Sequence, residues 1–127
     1  MVDIDRLENV LLGRALKRES VTYGELLAYF ERRVTRITVS ALCKDIGQVC
    51  RRVEDNGGPD LACLVVRKSD GLPGEGYFQS LRDEGSYDGP STGPQAEAEV
   101  RSRQEKAFDH AALLSRQLDR GPATRTG

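Results

Sequence analysis

The longest regular pattern in the chain is Val39, Leu42, Cys43, Ile46, Val49, Cys50 and Val53, apolar positions recurring at i, i+3, i+4 and i+7. Such spacing puts all seven on one face of an α-helix, and Asn56-Gly57-Gly58-Pro59 ends it. A helix is therefore predicted from about Ser40 to Asp55, with Ser40, Lys44, Gln48, Arg51 and Arg52 on its polar face. Upstream, Ile4, Leu7, Val10, Leu11 and Ala15 have the same period and predict an amphipathic helix over 3–17, with Asp3 as its N-cap. Thr22 and Glu25 form the T-x-x-E capping box, so a second, short helix starts at Tyr23 and runs through Leu26, Leu27 and Phe30. Between these helices, Arg32 to Thr38 mixes arginine with β-branched residues and reads as a loop or short strand.

Leu61-Ala-Cys-Leu-Val-Val66 is a short apolar run, followed by the turn-rich Lys68 to Gly76 and then Tyr77-Phe78. That order predicts a β-hairpin with a long glycine-rich tip. Three helices and a hairpin make a winged helix-turn-helix, an α+β fold, over residues 1–84. Gly85 to Pro94 has the composition of a linker. Residues 95–120 then form a C-terminal helix with a thin apolar stripe of Val100, Ala107, Ala111, Leu114 and Leu118, and 121–127 a disordered tail.

Composition narrows the function classes. The 127 residues suit one domain, which at this size buries on the order of two-thirds of its unfolded surface. No run approaches the roughly 18 apolar residues of a membrane span, and Met1 to Arg6 is acidic rather than a basic leader, so a cytoplasmic protein is expected. Three cysteines without a CxxC pair and a single histidine cannot supply an even disulfide framework or an ordinary zinc site. Reduced thiols, no metal, no cofactor and no small-molecule substrate are the expectation. The formal charge of −1 speaks against a nucleic-acid binder until its distribution is inspected. Arg32, Arg33, Arg36, Lys44, Arg51 and Arg52 face a single acid, Asp45, within residues 32–52, so the basic density surrounds one predicted helix.

Thr22-Tyr-Gly-Glu-Leu-Leu27, Lys44-Asp-Ile-Gly-Gln-Val49, Asn56, Val65-Val66 and Asp70-Gly-Leu-Pro-Gly-Glu-Gly-Tyr77 follow one another in a familiar order. Over residues 20–78 the chain resembles the DNA-binding domain of the O6-alkylguanine-DNA alkyltransferases and alkyltransferase-like proteins. The resemblance implies a winged helix in which Tyr23 helps rotate a nucleotide and Lys44 stands where the family has its intercalating arginine. The family's Pro-Cys-His-Arg motif is replaced by Leu61-Ala62-Cys63-Leu64. Ala62 therefore occupies the acceptor position, and methyl transfer to a thiol, which needs an activated thiolate, is not expected. The segment Leu64 to Phe78, with its Gly-Leu-Pro-Gly-x-Gly, also resembles small bacterial and phage proteins, a likeness that implies no function.

The residues read as DNA contacts are Tyr23, Arg32, Arg33, Arg36, Ser40, Lys44, Gln48, Arg51 and Arg52. Cys43 and Cys50 read as core filling, and the glycine loop lacks G-x-x-x-x-G-K-[ST] and reads as a wing tip. The expectation is a non-enzymatic protein that binds double-stranded DNA. The alternative is a protein-binding adaptor or inhibitor, of the kind phages and mobile elements encode, using the same fold for protein contacts.

Overall fold

The computed structural model describes residues 2–126, with side chains from Val2 to Arg116. Its elements are α1 (Ile4–Leu16), β1 (Val21–Thr22), α2 (Tyr23–Tyr29), α3 (Arg36–Asp55), a 3-10 turn (Ala62–Leu64), β2 (Val65–Val66), α4 (Glu75–Asp83) and α5 (Pro94–Thr126).

Local chemistry sets the helix ends. Asp3 accepts from the backbone N–H groups of Asp5 and Arg6 and starts α1. Both bonds of the Thr22–Glu25 capping box form at the start of α2, at 3.1 and 2.9 Å. Helix α3 begins at Arg36, four residues before the periodicity suggests, because Thr35 and Thr38 cap one another's backbone N–H groups. It ends where Gly57 takes φ 79° and the Gly58 N–H returns to the Val53 carbonyl at 2.8 Å. A Cβ on Gly58 would lie 2.3 Å from Val53 Cγ1, so only glycine fits there.

One core gathers Leu7, Leu11 and Ala15 of α1, Leu26 and Leu27 of α2, and Leu42, Ile46 and Val49 of α3. The seven apolar positions read onto one face of α3, with Cys43 among the core-filling residues, do not all meet this core: Cys43 is exposed, and Val39 and Val53 are only half-buried. Helix α5 closes the core with Ala107, Phe108 and Ala111, and Gln104 donates to the Cys63 carbonyl at 2.9 Å. Arg18, in the left-handed region at the end of α1, pairs with Glu105 and Asp109 and lies over the Phe108 ring. The C-terminal helix thus packs on its own domain. Of the stripe expected along it, Leu114 is 37% exposed and Leu118 lies outside the described side chains. The helix bounds take in 121–126, expected as a tail, and Gly127 lies outside the described residues.

The winged-helix expectation is overturned, because the segment expected to form the hairpin folds otherwise. Leu61 to Leu64 curls into the 3-10 turn, and Val65–Val66 pairs in parallel with Val21–Thr22 rather than with a later strand. Tyr77, Phe78 and Leu81 share helical spacing and lie on α4. An apolar run alone does not separate a strand from a buried turn, and here the pairing partner lies more than 40 residues upstream. Phe78 and Leu81 join Leu72, Tyr87, Ala96 and Val100 in a second cluster, which fastens α4 to the first turns of α5. The connection over 85–94, expected as a linker, is tied down: Tyr87 is buried, and Ser91 bonds both Glu75 and Arg82 of α4.

Candidate functional site

Between α3 and α4 runs an open groove of about 730 Å³. Successive helix residues are rotated by about 100°, so α3 divides its face among three neighbours. Leu42 and Val49 enter the core. Val39, Cys43, Ile46 and Cys50 turn toward the groove, and Ser40, Lys44 and Arg51 form its rim. Arg52 points the other way, into ion pairs with Glu8 at 2.8 Å and Asp5 at 2.7 Å of α1. The opposite wall is α4, through Tyr77, Ser80 and Leu81, with Glu84 just past its end, and Tyr23, Asp60 and Val65 complete the base.

The groove is held open by polar contacts at its two ends. At one, the Tyr23 hydroxyl accepts from the Gly74 N–H at 3.1 Å and lies against Cys43. Burial pushes this phenol up, and burial likewise raises the Cys43 thiol. At the other end Tyr77 donates to Asp60 Oδ2 at 2.6 Å, while Asp60 Oδ1 accepts from the Ala62 N–H at 3.0 Å. Burial first and the Asp60 charge second push the Tyr77 hydroxyl above its ordinary value. Glu54 stands beside Asp60, Glu84 and Asp55, and its carboxyl is raised by partial burial and then by these like charges. The groove therefore has an apolar floor, a cationic rim at Lys44 and Arg51, the carboxylates of Glu54, Asp60 and Glu84 at one end, and Arg67 and Glu75 near Tyr23 at the other.

The thiols are poorly placed for nucleophilic work. Burial, with Asp60 and Glu54 adding, lifts Cys50 to about 12, and burial with Asp60 raises Cys63, whose Sγ donates to the Asp60 carbonyl at 3.1 Å. Both are protonated at neutral pH, whereas a reactive cysteine needs its pKa lowered. Among the described residues no group of three His, Cys, Asp or Glu side chains is placed to hold a metal ion. No helix of the described residues is long and apolar enough to cross a membrane.

Of the nine residues read as DNA contacts, Tyr23, Ser40, Lys44 and Arg51 meet at this groove. Gln48 is exposed outside it, and Arg32, Arg33 and Arg36 sit at the exposed α2–α3 corner. Arg33, Arg36, Lys44 and Arg51 have no ion-pair partner among the described residues, whereas Arg67, Arg82 and Arg103 each have one and Arg14 and Arg18 each have two. Arg52 is removed from the surface read as DNA-facing by its α1 pairs. Sequence reasoning missed Asp60, Tyr77, Glu54 and Glu84 as groove residues. The 77, 81, 84 spacing was the available signal, since it is helical and places all three on one wall. Comparison with protein-family profiles, with curated proteins and with solved structures finds no match to this chain.

Proposed function

We propose that the chain is a non-enzymatic binding module whose α3–α4 groove takes a segment of a partner protein. The observation that carries this reading is an open groove in which half-buried Val39 and exposed Cys43 lie over the buried Ile46, Val65 and Leu81, with charges of both signs along its margins. Covering the apolar surface still exposed there, chiefly on Val39 and Cys43, supplies about 25 cal/mol per Å² of driving force, and the charged margins supply orientation. A phosphate backbone suits the groove less well, because Glu54, Asp60 and Glu84 repel it. The protonated, buried state of Cys50 and Cys63 supports a binding role over thiol chemistry.

Selection of random displayed peptides on the immobilised full chain tests the proposal. Selected peptides should bind the wild type and fail on Ser80→Trp, which fills the groove from an exposed α4 position while leaving both apolar clusters intact. Peptides that bind both proteins equally would overturn it.

Duplex DNA is the second reading, and one observation favours it: Arg33, Arg36, Lys44 and Arg51, which have no ion-pair partner among the described residues, lie along one end and one edge of α3. These groups are available for phosphate contacts in a way that Arg52 is not.

A further inference from the structure

Helix α3 ends in Asn56-Gly57-Gly58, a stop that is chemically labile as well as conformationally defined. We infer that Asn56 is a modification site: in the folded chain its side-chain amide is lost as ammonia through attack by the Gly57 nitrogen, and the loss loosens the end of α3.

Asparagine is among the labile side chains, and the residue after it sets the rate. A Cβ on that residue crowds the approach of its nitrogen, and glycine has none. Asn56 and Gly57 are both exposed, and nothing stands within 4 Å of where a Cβ on Gly57 would lie. The chain has one other asparagine, Asn9, which lies inside α1 and precedes the β-branched Val10. Asn56 is instead the C-cap of α3, with φ −98° and ψ 16°, and helix ends fray. Two bonds hold it: Asn56 Nδ2 donates to the Arg52 carbonyl at 2.9 Å, and the Gly57 N–H donates to the Glu54 carbonyl at 2.9 Å. Ring closure needs ψ to rotate and both bonds to open, so conversion proceeds from the frayed last turn.

In that turn the Gly57 nitrogen bonds to Asn56 Cγ and passes its proton, by way of water, to Nδ2. The Cγ–Nδ2 bond breaks, ammonia leaves, and a cyclic imide remains. Water then opens the ring, at Cγ to give aspartate or at the backbone carbonyl to give isoaspartate, with no change of oxidation state. Either product replaces the donor to the Arg52 carbonyl by a carboxylate. That charge sits at the negative end of the α3 dipole, next to Glu54 and Asp55. Isoaspartate also lengthens the backbone between Val53 and Gly58, whose 2.8 Å bond closes the helix.

The test incubates the full chain near neutral pH, folded and in urea, and follows amide-to-acid conversion at both asparagines by peptide mapping and mass spectrometry. In the folded chain, acid should accumulate at Asn56 while Asn9 keeps its amide. Asn56→Asp, which stands in for one product, should shift the Tm downward. Conversion at Asn56 that occurs only in urea, or no faster than at Asn9 in the folded chain, would overturn the site. An Asn56→Asp variant with the Tm of wild type would overturn the loosening of α3.

Discussion

The Tyr77 hydroxyl on α4 lies 2.6 Å from Asp60 Oδ2, on the segment that leads into β2, and donates its proton there. This single bond ties one wall of the groove to its base. Asp60 is half-buried and spends its other oxygen on the Ala62 N–H, so it orders the 3-10 turn and α4 together.

Tyr77→Phe should lower stability by about 1 kcal/mol, the usual net worth of one such bond, with helix content unchanged. Urea unfolding measures the loss. A variant as stable as wild type would show that the aromatic packing of Tyr77 on Phe78, with ring centroids 5.6 Å apart, holds α4 by itself.

Stability should fall on the alkaline side. Cys50 and Cys63 are raised in the folded chain above the thiol value of about 8.5 for the unfolded one. Between those values the unfolded state has lost protons that the folded state keeps, so the stability present below about pH 8.5 is lost as pH rises, at about 1.4 kcal/mol per unit for each thiol. Tyr77, also raised, adds to the decline above about pH 10. Urea unfolding under reducing conditions from pH 8 to 10 reads this slope, and Cys63→Ala should make it shallower. A flat profile would refute the burial of both thiols.

Neighbouring arginines should behave oppositely. Arg52→Ala, which breaks the pairs with Asp5 and Glu8, should lower the Tm at low salt and lose that effect in high salt. Arg51→Ala should leave the Tm where it is. In a salt titration with duplex DNA, Arg36→Ala with Lys44→Ala should flatten the log-log slope by up to about two units, and Arg52→Ala should not change it. No duplex binding at about 50 mM salt would retire the DNA reading.

Two substitutions on α3 separate core from surface. Leu42 is fully buried and Ile37 is 81% exposed. Leu42→Ala should cost about 3 kcal/mol through lost burial and a cavity, and Ile37→Ala no more than about 0.5 kcal/mol. Similar costs in calorimetry would contradict the orientation of α3.

The amino-acid sequence by itself determined α1, the start of α2 and the body and end of α3, because these rest on information within a few residues. Asp3, the Thr22–Glu25 box and the Gly57-Gly58 stop act on their own turns, and the period of 3.6 marks Leu42, Ile46 and Val49 for burial. It also marked Ser40, Lys44, Gln48, Arg51 and Arg52 as one polar face, of which Ser40, Lys44 and Arg51 line the groove while Gln48 and Arg52 do not. Only the tertiary structure decided what lies opposite. Val65–Val66 could join any strand, and the choice of Val21–Thr22 freed Tyr77 and Phe78 to enter a helix. Arg51 and Arg52 look alike in the sequence, yet about 100° of rotation sends one to the groove and the other to carboxylates more than 40 residues away. Pairing and ionic contacts at such separations depend on where the whole chain brings each partner, and no local pattern encodes that.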